Sequence, residues 1–221
     1  MISFKITLES GKNFTFEIEK ANRMHSAKKI NKPVSWTQLE YHQCVNCPLT
    51  INNTPYCPTA LDLVNIVEPF LYISSIEPVT ITIKEIDFEY TRKTDAQHAL
   101  FNVFFYIIYT SSCPHQQLLR PLVKYIDPFP DLETMTYHLL AMHLVRDYFD
   151  QPECATFRIE ELKKNLEQLE LTLDGLLDRI RNIISGDATI NSVVIMITTW
   201  ALIIKSIDKN LELVKKNFNI L

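Results

Sequence analysis

Glycine is nearly missing from this chain: it supplies 3 of 221 residues, where average usage would give about 15. Gly11, Gly175 and Gly186 stand far apart, so no glycine-rich loop can press its backbone N–H groups against a phosphate, and P-loop or dinucleotide-fingerprint chemistry is excluded. Long runs of one charge are missing as well. The 22 basic and 26 acidic residues leave a net charge of −4, and the doublets Lys28-Lys29, Lys163-Lys164 and Lys215-Lys216 are diluted by acids. The broad basic footprint of a nucleic-acid binder is therefore absent. Near Met1 there is no basic flank followed by an apolar run, because residues 2 to 18 alternate apolar and polar; the pattern predicts a cytosolic chain with no secretory leader. The most apolar run, Val193 to Ile204, is 12 residues, short of the roughly 20 that a bilayer requires. It reads as a core helix, with no membrane partner.

What the chain does have is hydrophobic content, 47% of residues, enough at this length for one substantial core. Phe4, Ile6 and Leu8, then Phe14, Phe16 and Ile18, alternate on either side of Glu9-Ser10-Gly11-Lys12, which predicts a β-hairpin with one apolar face. Residues 20 to 35 carry little periodicity and read as a connecting loop. Val79, Ile81 and Ile83 alternate, and then Ile86, Phe88 and Tyr90 alternate in the opposite parity, so a turn near Glu85 must separate two short strands. Between the hairpins, Pro58 to Phe70 reads as a short helix with proline at its first position. Thr94 to about Ser112 reads as an aromatic-rich helix, and Asp131 caps a helix to about Phe149 whose stripe is Met135, Leu139, Met142 and Phe149. His138 and His143 on it are five residues apart, about 140° around the helix, and cannot share one metal through one face.

The last third has the strongest period. Ile159, Leu162, Leu166, Leu169, Leu173, Leu176, Ile180 and Ile183 recur every three or four residues, and after Ser185-Gly186-Asp187 so do Val193, Ile197, Trp200, Ile204, Ile207, Leu211, Val214 and Phe218. Two such stripes joined by a short turn predict an antiparallel helical hairpin with arms of roughly 40 Å. Leu171, Leu177, Ile184, Ile195 and Ile203 form a second apolar flank, which either covers the rest of the protein or meets a partner or a second copy. The predicted fold is α+β: two hairpins, residues 2 to 18 and 79 to 91, make a small antiparallel sheet packed on helices. Residues 1 to 150 form a cysteine-rich α+β part and 151 to 221 the helical hairpin packed on it as one structural unit.

Chemistry concentrates at cysteine. Cys44 and Cys47 make a Cys-x-x-Cys, Cys57 follows ten residues later, and Cys113 comes much further on. In a reducing compartment such clusters are metal ligands or redox groups before they are disulfides. Pro48, Pro58 and Pro114 each follow a cysteine directly, so Cys47, Cys57 and Cys113 stand at chain bends. A tetrahedral zinc site takes two sulfurs from a Cys-x-x-Cys turn and two from elsewhere. Cys44, Cys47, Cys57 and Cys113 form a candidate closed set, with His42 and His115 as reserve ligands. An iron–sulfur cluster would use the same four thiolates; zinc is preferred because a structural clamp asks less of its surroundings. The enzyme-class alternative is a thiol redox enzyme or sensor using Cys44 and Cys47, with His42 or His115 adjusting a thiol.

Trp36, Leu39, His42-Gln43-Cys44, Cys47-Pro48-Leu49, Tyr56-Cys57-Pro58, Gln97 and Ser112-Cys113-Pro114-His115 with Arg120-Pro121 together resemble an uncharacterised family of bacterial proteins, a domain of unknown function of about this length. The similarity runs from the first hairpin to beyond Asp187. Family members usually have Ser-Gly before the last of these cysteines, where this chain has Ser111-Ser112. The resemblance implies a bacterial source and marks the four cysteines with His42 and His115, and it implies no reaction. Together these features predict a cytosolic module with a structural metal site that contacts another protein, or itself, through the helical hairpin or a sheet edge.

Overall fold

In a computed structural model of the chain, residues 1–18, 34–150 and 158–217 are described, Asn210 and residues 213–217 by backbone alone. The loop expected over 20 to 35 falls almost wholly outside the described residues, as do Cys154 and Phe218.

Strands β1 (Ile2–Leu8) and β2 (Asn13–Ile18) form the first hairpin, with Phe4 opposite Phe16 and Ile6 opposite Phe14. On its other side β1 pairs with β3 (Pro78–Lys84), Ile6 opposite Ile81, and β3 pairs with β4 (Glu89–Asp95). All pairs are antiparallel and the order is β2-β1-β3-β4. Because strand side chains alternate, Ile2, Phe4, Ile6, Ile81 and Ile83 all fall on one face and are buried there. The second hairpin departs from expectation at its return strand. Residues 85 to 88 are its turn, closed by the Glu85 N–H donating to the Phe88 carbonyl at 2.9 Å, and Ile86 is exposed. β4 lies at the sheet edge with Thr91, Arg92 and Lys93 in solvent, so no apolar alternation marks it.

Among the described residues six α-helices follow the same physics: α1 (Pro58–Val67), α2 (Ala96–Thr110), α3 (Arg120–Tyr125), α4 (Leu132–Asp150), α5 (Ile159–Arg181) and α6 (Ala188–Asn217). Asp95 caps α2 by accepting from the His98 N–H at 3.0 Å. From Leu100 on, all but one of its residues, Phe101, are buried, as expected of a helix apolar all round. It touches β3 and β4 on one side and α6 on the other, so Phe4 meets Tyr106 edge-on at 5.2 Å and the Trp200 indole N–H donates to the Tyr109 hydroxyl. On α4, Asp131 accepts from the Thr134 N–H at 2.7 Å as predicted for a cap, but Phe149 is exposed and not part of the inner stripe. Thr136, His143 and Asp147 are the buried polar residues there, His143 Nε2 donating to the Arg158 carbonyl at 3.0 Å.

The C-terminal pair of long helices is present as the periodicity predicts, with the predicted inner stripe kept on α5 and shifted on α6. Leu162, Leu166, Leu169, Leu173 and Ile180 of α5 are fully buried. On α6 the deepest positions are Val193, Met196, Trp200, Ile203 and Ile207, so the inner stripe runs one residue away from Ile197 and Ile204, which are half-buried beside it. The apolar run is also longer than its sequence core suggests. Ala188–Lys209, 22 residues, is long and apolar enough by length and composition to cross a membrane, and a third of its most apolar window is buried inside the protein; this overturns the expectation that the run is too short. Near the far ends of the two helices Lys163 pairs with Asp208 at 3.0 Å. At the turn, Asp187 accepts from the Ser75 N–H at 2.6 Å and the Ser75 hydroxyl at 3.0 Å, pinning the α5–α6 connection to the chain before β3.

Candidate functional site

Three separate segments carry the cysteines to one side of α5. Residues 37 to 39 run beside 55 to 57: the Leu39 N–H donates to the Pro55 carbonyl at 2.9 Å and the Cys57 N–H to the Thr37 carbonyl at 2.8 Å. That brace fixes Cys57 as the residue before α1, with Pro58 at the first helical position. Cys113 holds the same place before the short 3₁₀ helix Pro114–Leu119. The two cysteines share a reason for their placement: the first N–H groups of a helix have no intrahelical partner. The Cys57 sulfur faces the N–H groups of Ala60 and Thr59, and the Cys113 sulfur those of His115 and Gln116. Cys44 and Cys47 are linked by a tight turn in which the Cys47 N–H donates to the Cys44 carbonyl at 3.0 Å.

The loop carrying that turn lies along α5 through a line of side chains that the hydrophobic pattern does not reveal. Gln168, Thr172, Gly175, Arg179 and Asn182 recur at spacings of four, three, four and three, a second face beside the apolar stripe. Asn46 donates to the Gln168 carbonyl at 2.8 Å, and the Cys44 thiol to the Thr172 carbonyl at 3.5 Å. Asn182 donates to His42 Nε2 at 3.2 Å. Arg179, only 1% exposed, donates to the carbonyls of Trp36, Gln38 and Leu39 at 3.0, 2.7 and 2.6 Å. One guanidinium thus organises the segment that positions Cys57. At Gly175 the loop comes so close that any Cβ would stand 2.6 Å from the Cys44 sulfur.

Cys44, Cys47, Cys57 and Cys113 line one pocket, together with His115, Gln116 and Arg179. Of the two reserve histidines, His115 is at the pocket and His42 is not. His115 Nε2 donates to the Asn46 carbonyl at 2.8 Å, which holds the Cys44–Cys47 turn and leaves Nδ1 as the lone-pair nitrogen. His42 sits in the left-handed region, φ 46°, against Tyr41 on the surface. The free space is about 20 Å³, enough for one particle the size of a water or a metal ion. No group of three or more His, Cys, Asp or Glu side chains among the described residues is arranged to hold an ion as it stands. The Cys44 thiol is turned toward Thr172, a bond that exists only while the sulfur keeps its proton.

The electrostatics are those of buried neutral thiols beside a cation. Burial pushes Cys44 up to about 12 and Cys113 up to about 11, and it raises Cys57 as well, while the Arg179 guanidinium opposes the rise at Cys44 and Cys57. A redox-active thiol requires the opposite shift. Two residues lining the pocket carry a fully buried donor with no acceptor among the described residues: Arg179 Nε and Gln116 Nε2. The amide is oriented by a chain of hydroxyls, since Thr59 donates to Gln116 Oε1 at 2.7 Å and must then accept from Ser111 at 3.1 Å. Ser111 in turn accepts from the Cys113 N–H at 3.4 Å.

Arg179, Gln116 and Gly175 were not singled out by the cysteine spacing. A glycine in the interior of a strongly periodic helix is the signal that marks Gly175, and nothing in the sequence marks Arg179 or Gln116.

A family model, Domain of unknown function (DUF6901), matches residues 2–219, and the chain belongs to that family. No curated protein and no solved structure matches it.

Proposed function

We propose that this member of the DUF6901 family is a cytoplasmic, bacterial protein-interaction module whose fold is clamped by one structural metal ion, zinc, held by Cys44, Cys47, Cys57 and Cys113. The observation that carries it is the pocket: four thiols from three segments, up to 69 positions apart in sequence, line a space of single-ion size. Four thiolates are a closed donor set for a borderline-soft divalent ion, with no open position for a substrate. Zinc would replace the thiol protons, release Cys44 from Thr172, and supply the negative sulfurs that the orphan donors lack. Binding free energy would then be folding free energy, because the three segments meet only in the folded chain.

The small free volume favours a single ion over an iron–sulfur cluster, which brings its own sulfides. The upward shift of Cys44 counts against a dithiol redox site at the Cys-x-x-Cys turn. Leu171 on α5 and Leu202 on α6 are exposed, and β4 offers an unpaired sheet edge; these are the surfaces through which the module would meet another protein or a second copy.

Elemental analysis of freshly purified protein, combined with thiol counting before and after a chelator, tests the clamp. One zinc per chain and four thiols that react only after chelation are expected. Iron with visible absorbance would replace zinc by a cluster, and metal-free protein that takes up no zinc, with fast-reacting thiols, would overturn the clamp.

A further inference from the structure

Arg179 carries a buried positive charge for which no carboxylate among the described residues lies within ion-pairing distance. Three of its N–H groups are spent on loop carbonyls, and its Nε–H is left over at the thiol pocket. An uncompensated charge and an unpaired donor in the interior are each costly. Gln116 repeats the situation with a neutral group. It is fully buried, its oxygen is committed to Thr59, and its Nε2–H₂ has no acceptor. Two independent elements, α5 and the 3₁₀ helix after Cys113, thus each contribute to the lining of one pocket a residue with a buried unpaired donor.

Taking the four cysteines as a metal site, as proposed above, we infer that Arg179 and Gln116 are positioning residues that compensate an anionic tetrathiolate centre, which makes the ligand class a thiophilic divalent cation. Four thiolates around a divalent ion carry a net charge of −2, and such a centre in a partly buried pocket is stabilised by a counter-charge and N–H donors at its sulfurs. The guanidinium supplies the first. The free Nε–H and the amide N–H₂ add donors to the backbone N–H groups already facing Cys57 and Cys113. A set of neutral thiols would use neither, since a thiol sulfur is a weak acceptor and has no charge to balance. The Cys113–Ser111–Thr59–Gln116 chain of hydrogen bonds fixes the amide in the orientation that serves the sulfurs, so the last cysteine and its donor are set by the same network.

The test uses the full chain loaded with Co²⁺ as a spectroscopic probe and with Zn²⁺ in competition against a chelator. Wild type is compared with Gln116→Met, Gln116→Glu, Arg179→Lys and Arg179→Met. Among the described residues the Gln116 side chain bonds only to the Thr59 hydroxyl, and a substitution leaves its backbone bond to the Cys113 carbonyl in place, so its variants are expected to fold even where Arg179→Met does not. Wild type should bind one Co²⁺ with intense thiolate-to-metal charge-transfer absorption. Gln116→Met and Arg179→Lys should keep that spectrum with Zn²⁺ affinity lowered about 10- to 100-fold, the usual range for outer-shell partners of a metal site. Gln116→Glu, which sets a carboxylate against the sulfurs, should lose more than Gln116→Met despite its closer shape, an ordering that a packing role would not produce. Folded Gln116 and Arg179→Lys variants with unchanged Zn²⁺ affinity would overturn the assignment while leaving the metal site intact. A wild-type chain that binds neither ion would overturn the site itself.

Discussion

Gly175 and Cys44 are in direct contact: a Cβ placed on residue 175 would stand 2.6 Å from the Cys44 sulfur and 3.0 Å from its Cα. The glycine sits in the interior of α5, where alanine would ordinarily be better by about 1 kcal/mol. Its backbone keeps a helical geometry, so conformational freedom is not the reason for it; space is. Gly175→Ala is therefore expected to reverse the usual sign and destabilise, because the helix cannot move without dragging the cysteine turn with it. Urea unfolding measures this, and a stabilised alanine variant would show that the contact is slack. Pairing it with Cys44→Gly gives a double-mutant cycle whose coupling should be favourable by more than the roughly 0.5 kcal/mol seen for independent sites.

Arg179→Met should be among the most destabilising single changes on α5. It leaves the carbonyls of Trp36 and Leu39 without the guanidinium, while the Gln38 carbonyl keeps the Tyr41 N–H, and each buried group so orphaned costs about 1–3 kcal/mol. A loss of about 3 kcal/mol or more is expected in denaturant melts. The unfolding of residues 34 to 57 should precede the rest, seen as faster hydrogen exchange at the Leu39 and Cys57 amides than in wild type.

Much of the fold was legible because hydrophobic periodicity encodes it directly. The stripe from Leu162 to Ile180 and the parity of Phe4, Ile6 and Ile81 could be assigned to one buried face without any tertiary knowledge. Where the pattern failed, it failed for a physical reason. β4 is an edge strand made of polar residues, so nothing alternates, and Ile86 reads as strand although it is a turn residue in solvent. The thiol pocket was half legible. Cysteine–proline pairs mark chain bends, and two of those bends prove to be helix starts, at Cys57 and Cys113. The donors that complete the pocket were not legible, because Gln116 and Arg179 have ordinary surface identities and only the fold buries them. His42 shows the converse: it precedes Cys44 by two residues, yet a left-handed backbone turns it to the surface beside Asn182.

Asp187 should give the protein part of its acid sensitivity. The Ser75 N–H bonded to its carboxylate, outweighing some desolvation, holds the carboxyl below its ordinary value. A depressed folded-state pKa means that the unfolded chain takes up the proton first. The contribution to stability is then fully present above the unfolded value of about 4, and is lost as pH falls through the folded one. Asp187→Asn is expected to flatten the slope of stability against pH below about 4 while also loosening the α5–α6 turn. Melts of the two proteins across that window measure it, and parallel acid slopes would show that Asp187 is not the group responsible.

The Trp200–Tyr109 pair tests whether α6 belongs to the core or merely lies on it. Both side chains are fully buried, their rings are nearly perpendicular with centroids 5.9 Å apart, and the indole N–H finds its acceptor in the tyrosine hydroxyl. Tyr109→Phe keeps the ring and removes the acceptor, which leaves the indole N–H unpaired in a dry interior at a cost of about 1–3 kcal/mol. Trp200→Phe should cost more, because it removes the donor and also opens a cavity between α2 and α6 that a smaller ring cannot fill. In the Tyr109→Phe protein the Trp200 emission should stay blue-shifted, since burial is unchanged, while the midpoint of unfolding falls. A red-shifted emission with an unchanged midpoint would instead mean that α6 separates from α2 in solution and that its apolar 22-residue stretch is free to meet another surface.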